Sequence, residues 1–200
     1  MPVPPGLILA GGLATRLGGG DKALRGLAGR PLAAHVAGRL RPQCGALWLS
    51  ANGDPARFAA LGMAVLPDPV PGRPGPLAGV LAGLEQAAAL GLEAVVTAPT
   101  DTPFLPQDLV ARLTAADRGG FAIAACTAEG AERLHPTCGL WPVRLRGAVR
   151  AALAAGQRRV GGFARDHGAA ITRFDDHWAF FNINTPADLA QAEAALARGA

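Results

Sequence analysis

Five short apolar runs set the frame for this chain: Leu7–Ala10, Ala46–Ser50, Ala64–Leu66, Ala94–Ala98 and Phe121–Cys126. None shows polar alternation, and a helical pattern separates each from the next: Pro31–Leu40, Asp54–Leu61, Leu77 to about Leu90, and Pro106–Ala116. A strand apolar on both sides must be covered on both faces, and strands joined through helices run parallel. The pattern therefore predicts an α/β fold, one Rossmann-like three-layer domain with a mostly parallel sheet and helices on both faces. After Phe121 the order loosens. There follow HPTCGLW, a helix near Val143–Ala155, the run Ala169–Phe174, the strand-like AFFNIN, and a last helix from Pro186 with Thr185 as its N-cap. No repeat or long linker divides residues 1–200.

Composition removes several classes of function. Half of the residues are hydrophobic and 17% are charged, which marks a globular chain. The formal net charge is +4, but the eighteen arginines are scattered and never form a run of three, so no nucleic-acid partner is expected. Cys44, Cys126 and Cys138 show neither CxxC nor zinc spacing and read as buried free thiols in a reducing compartment. The start MPVPPGLILAGG lacks a basic n-region, and no stretch approaches the ~18 apolar residues of a membrane span. A cytoplasmic protein without a membrane partner is the expectation.

The first apolar run ends in glycines, GGLATRLGGG, followed by Asp21 and Lys22. In an open α/β sheet the ligand sits beyond the carboxyl ends of the strands, and this loop starts there. Glycine lets backbone N–H groups close around phosphate oxygens. Two familiar phosphate loops do not fit. Lys22 is followed by Ala23 and not by the Ser or Thr of GxxxxGK[ST], and the glycines do not match GxGxxG. Arg16 and Lys22 nevertheless lie inside the segment, and Lys22 is the single lysine of the chain. A compact ammonium can follow a moving phosphate, whereas guanidinium is a planar fork.

LAGGLATRLGGGDK (Leu9–Lys22) resembles the LAGGxxxRMGGxDK motif of the molybdenum cofactor guanylyltransferases, the MobA-type nucleotidyltransferases. The resemblance continues through PDPVPGRPGPLAG, PTDTPFLP, HPTCGLW, GQRRV and FFNINTPADL, in the expected order over nearly the whole chain. Leu17 replaces the usual Met, and Ser50 stands in LSAN where the family often has Asn, which leaves open whether Ser50 or Asn52 meets the nucleotide. The resemblance implies a nucleotide-binding half over about 1–110 and an acceptor-binding half over about 111–200. It also implies transfer of GMP from GTP to the terminal phosphate of molybdopterin, with release of pyrophosphate.

Both reactants are anionic, so such a catalyst must neutralise charge and align an in-line displacement, without a covalent nucleophile. The attacking phosphate, with a second pKa of about 6, is already ionised. On this reading Arg16 and Lys22 offset the leaving pyrophosphate, and Asp101 holds Mg²⁺, a hard ion content with one or two carboxylates, phosphates and water. Asp101 has a plainer alternative as a turn residue before Pro103. Leu9, Ala10, Gly11 and Gly12 would line the nucleotide through their backbone. Asp68 would meet base or ribose, or else serve as a turn residue before Pro69. Arg158, Arg159, Asn182 and Asn184 would hold the acceptor, the two asparagines on one side of a strand-like run. His135, before Pro136, reads as a loop histidine. Other proteins of cofactor biosynthesis or molybdoenzyme maturation are expected partners.

Two other readings remain at this point. One keeps the fold and reaction but uses another substrate, as in cytidylyl or sugar-phosphate nucleotidyltransferases. The other is a nucleotide-sensing module without turnover.

Overall fold

The computed structural model describes residues 3–11, 19–72, 75–116, 119–128 and 130–199. Its strands are β1 (Gly6–Leu9), β2 (Gly26–Leu27), β3 (Arg30–Pro31), β4 (Leu47–Ser50), β5 (Ala64–Leu66), β6 (Ala94–Pro99), β7 (Ala122–Ala128), β8 (Ala131–Pro142) and β9 (Ala170–Phe174). The helices are α1 (Leu32–Leu40), α2 (Pro76–Ala89), α3 (Leu109–Ala116), α4 (Arg146–Ala154), α5 (Val160–Asp166) and α6 (Pro186–Ala197). Seven strands form one sheet in the order β5-β4-β1-β6-β8-β7-β9, and β2 pairs with β3 as a small ribbon. Within the sheet β8 runs against both neighbours, β6 and β7, while the other pairings are parallel.

Four of the five apolar runs became strands with both faces largely buried, and the third, β5, lies at the sheet edge with Ala64 exposed and Val65 and Leu66 half-buried. Ile8 and Ala10 pack with Val36 of α1 and Leu113 of α3 on one side. Leu7 and Leu9 pack with Leu81 of α2, Val149 of α4 and Phe163 of α5 on the other. A third cluster joins α6 to the ribbon through Leu27, Phe104, Ile183 and Ala192. Helix α2 lies close against the sheet because it carries glycine where it crosses: a Cβ on Gly79 would meet Ser50 Oγ at 2.5 Å and Leu9 Cδ2 at 2.8 Å.

The chain steps from β1 to β4 to β5 and then returns to the far side of β1 as β6. Strand order therefore reverses between β1 and β6, which opens a crevice at their carboxyl ends. Ala10 and Gly11 leave β1 there, and Thr100–Asp101 leaves β6.

Two expectations are corrected. HPTCGLW is no loose segment but the second half of β8. Its Pro136 cannot donate to a ladder, and the β7–β8 register jumps from Ile123↔Gly139 to Ala124↔His135, so an irregularity absorbs Pro136–Cys138. AFFNIN is not a strand. Trp178–Phe180 form a 3₁₀ turn, because Phe180 turns inward against Phe174 at 5.2 Å. The extended residues beyond make no ladder but keep the period of two, with Ile183 buried between exposed Asn182 and Asn184. Among the described residues, no helix is long and apolar enough to cross a membrane.

Candidate active site

Backbone hydrogen bonds fix the crevice first. Ala10 N donates to Ser50 O (2.9 Å), and Thr100 N donates to Leu9 O (3.3 Å). Leu9 and Ala10 are buried, and Gly11 is exposed at the rim. Past β6, Thr102 Oγ1 donates to Pro99 O (3.1 Å), turning the chain around Asp101. Ile183 N donates to Asp101 O (2.9 Å), which draws the segment from Asn182 to Asn184 to the same place. The start of α6 holds that segment still: Thr185 and Asp188 form a reciprocal capping box, and Asp188 Oδ2 also accepts from Asn184 N (2.9 Å). Burial works upward on the Asp188 carboxyl, but the N–H groups of Asn184 and Thr185, helped by the Lys22 charge, hold it below the usual carboxylate range.

Lys22 enters from the 3₁₀ turn Lys22–Leu24. Its Nζ donates to Asp101 Oδ2 at 2.7 Å and to Asn184 Oδ1 at 2.5 Å. The pair is mostly shielded, with side-chain exposures of 11% for Lys22 and 21% for Asp101. The single lysine is thus pooled with the acidic turn and the C-terminal asparagine motif, three segments distant in sequence. The expectation gave Asn184 to the acceptor; the structure puts it on Lys22. Nothing in the sequence signalled that contact, because it depends on the backbone bond between Ile183 and Asp101.

A second pair lies beyond β4 and β5. Asn52 Nδ2 donates to Asp68 Oδ2 (2.7 Å), and Asp68 N donates to Asn52 Oδ1 (2.9 Å). Ser50 is buried under α2 beside Gly79, so Asn52 is the residue of LSAN that joins this pair. Arg158 and Arg159 are exposed before α5, and the Arg158 carbonyl would lie 3.4 Å from a Cβ on Gly75, at the start of α2. Asn182 stays on the exposed side of its segment. Gly12 and Arg16 lie outside the described residues.

The remaining polar residues near the sheet are structural. His135 is no loop histidine: it sits on β8, buried, stacked on Phe180 at 4.6 Å and 3.1 Å from Cys126 Sγ. Burial and the Arg133 charge push its pKa down to about 4, so it is a neutral imidazole. Burial pushes the Cys44 thiol up to about 12, and burial together with Asp101 pushes Cys138 up. None of the three cysteines is in a disulfide; Cys126 and Cys138 are buried, and Cys44 is half-buried. The site therefore presents an ammonium, carboxylates and carboxamides, a set suited to holding anions and a hard cation and not to covalent attack. Among the described residues no three His, Cys, Asp or Glu converge as a ready-made metal cage.

Known proteins are similar to this chain in sequence and in fold. A molybdenum cofactor guanylyltransferase from Cereibacter sphaeroides is 56% identical over 195 residues, 98% of each chain. One from Bradyrhizobium sp. (strain ORS 278) is 52% identical, over 94% of this chain and 91% of its own. In fold, the chain resembles molybdopterin-guanine dinucleotide biosynthesis protein A from Archaeoglobus fulgidus, with a TM-score of 0.74 and 20% identity over 97% of this chain and 99% of that one. The 2-C-methyl-D-erythritol 4-phosphate cytidylyltransferase from Thermus thermophilus follows the same path, with a TM-score of 0.73 and 25% identity over 99% of this chain and 100% of that one. Residues 6–170 match the MobA-like NTP transferase domain, a stretch that holds the switch-point crevice, Lys22, Asp101 and the Asn52–Asp68 pair. With relatives this similar over nearly its full length, the chain belongs to the MobA-like NTP transferase family.

Proposed function

We propose that this chain transfers GMP from GTP to the terminal phosphate of molybdopterin, releasing pyrophosphate and forming the guanine dinucleotide cofactor. The observation that carries the reading is the meeting of Lys22, Asp101 and Asn184 at the switch point, in a chain 56% identical to a molybdenum cofactor guanylyltransferase.

Nucleotidyl transfer asks little covalent chemistry of a protein; it asks for charge neutralisation and alignment. Lys22 supplies a mobile positive charge for the β- and γ-phosphates, aided by Arg16 and the glycine amides. In the free protein that charge rests on Asp101 and Asn184, and it moves to the triphosphate when GTP arrives. Asp68 accepts hydrogen bonds only, as the base-side group for guanine's adjacent N1–H and N2–H donors requires. Asn52 fixes Asp68 through two hydrogen bonds, one to its carboxylate and one from its backbone N–H. Leu9, Ala10, Gly11 and Gly12 line the same wall, and Arg158, Arg159 and Asn182 receive the acceptor phosphate and pterin.

Magnesium fits this set. Asp101 is a half-buried hard oxygen ligand at the carboxyl end of β6, and one carboxylate suffices where phosphates and water complete the shell. Asp101 would hold the ion, which when bound supplies charge neutralisation on the triphosphate. Asp101 and Lys22 then stop neutralising each other and each takes a part of the substrate complex.

The test is pyrophosphate release with GTP, Mg²⁺ and molybdopterin, with CTP and ATP in parallel. Release with GTP that requires molybdopterin supports the reading. Preference for CTP, or nucleotide binding without any turnover, overturns it.

A further inference from the structure

Arg57 is not placed in the chemistry above, yet its guanidinium, on a side chain 31% exposed, meets partners from three residues and an aromatic face. It stands on the 3₁₀ turn Pro55–Leu61, whose N-cap Asp54 accepts from Ala56 N at 2.9 Å. Arg57 Nε is 2.5 Å from Asp21 Oδ2, Nη1 donates to Asp54 O at 3.0 Å, and Nη2 donates to Asn52 O. The plane covers the Phe58 ring at 4.5 Å, and that ring is anchored in the core. Even the neighbouring backbone makes room. Gly53 has φ +84°, and a Cβ there would sit 2.8 Å from Arg57 Nη1. ANGDPAR (Ala51–Arg57) folds around one guanidinium, a fork that suits several acceptors at once.

The two ends of this fork matter most. Asp21 immediately precedes Lys22, the phosphate-side residue. Asn52 carries the carboxamide that grips Asp68, the base-side residue. We infer that Arg57 is a positioning residue that locks the Lys22 segment and the Asn52–Asp68 pair into one relative placement, so that base recognition and phosphate grip stay in register. The inference rests on the guanylyl-transfer reading for what the two ends bind, but the lock itself is a property of the free protein.

The experiment compares wild type with Arg57→Ala, Arg57→Lys and Asp21→Asn. Asp21→Asn is the milder variant, since it leaves Arg57 its contacts to Asn52, Asp54 and Phe58. In hydrogen exchange on the ligand-free protein, Arg57→Ala should speed exchange both at Leu24 and Arg25, whose N–H groups donate to Asp21 O and Lys22 O, and at Ala51 and Asp68, whose N–H groups donate to Leu66 O and Asn52 Oδ1, and Asp21→Asn at the first pair alone. In kinetics, losing a charge-assisted contact of this kind should raise the KM for GTP about tenfold to a hundredfold with a smaller change in kcat. Preference for GTP over ITP, which lacks the 2-amino group, should narrow in Arg57→Ala, and Arg57→Lys should fall between. The double variant should be no worse than Arg57→Ala alone, the mark of a shared interaction. Exchange changes confined to Pro55–Leu61, with KM and GTP/ITP preference unchanged, would reduce Arg57 to a local brace and overturn the inference. Failure of wild type to use GTP overturns the proposed function instead, while hydrogen exchange still decides the lock.

Discussion

Replacing Asp101 by Asn separates the two tasks assigned to its carboxylate. The variant keeps size and an oxygen able to accept from Lys22 Nζ, while it removes the charge and turns the second oxygen into an NH2 donor. In the free protein the cost is the difference between a charge-assisted hydrogen bond, about 1.5–3 kcal/mol, and a neutral one of about 1 kcal/mol. The exposures of 11% and 21% place the pair between a surface ion pair, which contributes little, and a buried one, whose disruption costs more. A loss of about 0.5–2 kcal/mol results, or about 1–8 °C in Tm for a chain of this length, so the variant stays folded. Turnover should suffer more, by about 10²-fold or beyond, the scale of a lost positioned electrostatic group. Metal-free GTP affinity should move the other way, holding or tightening, because Lys22 no longer has to leave a carboxylate. The assay is pyrophosphate release across a Mg²⁺ series, with calorimetric GTP titration in EDTA. The variant's magnesium midpoint should shift upward, and added Mg²⁺ should recover part of the rate. Equal rates and equal midpoints in the two proteins would refute the reasoning and leave Asp101 a turn residue.

Other substitutions probe separate parts of the argument. Lys22→Arg keeps the charge but puts a planar fork where a compact ammonium meets Asp101 and Asn184; turnover should drop on the order of 10²-fold with GTP, and wild-type kinetics would make the lone lysine an accident of composition. The same change at two glycines should have opposite signs. Gly79→Ala drives a Cβ into Ser50 and Leu9 and should destabilise by about 1–3 kcal/mol, whereas exposed Gly38 in α1 has nothing within 4 Å, and Gly38→Ala should stabilise by about 0.4–1 kcal/mol; urea unfolding of both reads the contrast. His135 titrates near 4 in the fold against 6.5 unfolded, so the unfolded chain binds the extra proton between those values. Stability from this residue is complete above pH 6.5 and is lost as pH falls toward 4, by on the order of 3 kcal/mol. Denaturation midpoints from pH 7 to 4 should fall less steeply in His135→Leu than in wild type, and parallel slopes would remove His135 from the account.

What the sequence made legible follows from how each contact is encoded. Runs apolar on both sides forced a covered, mostly parallel sheet, whereas the return of the chain past β1 was visible only in the structure. The Asn52–Asp68 pair was within reach of the same logic: β4 and β5 run parallel with Ser50 opposite Leu66, so the residues two steps beyond each are level. Other features had no local signature. β8 was hidden because Pro136 and Gly139 read as loop residues until β7 supplies an irregular register, and because Gly139 admits no Cβ, which would lie 2.8 Å from Ala122 O. Arg57 looked like one of eighteen scattered arginines, since its role depends on a rotamer and on the glycine beside it.

Asn184 shows where motif and geometry part. The spacing of Asn182 and Asn184 put both on one side of an extended run, and that part holds. Which of them would face Lys22 was set elsewhere, by Asp101 O accepting from Ile183 N and by Asp188 holding Asn184 N. The short stretch therefore acts as a hinge of contacts between the acidic turn and α6, with Asn184 turned to the lysine. The lone lysine then has a physical reason. At a spot where the residue is only 8% exposed, a carboxylate oxygen at 2.7 Å and an amide oxygen at 2.5 Å share a single ammonium. On the proposed function, a guanidinium would spread the same charge over a rigid plane, a poorer match than a compact ammonium for a group that passes from these partners to a triphosphate.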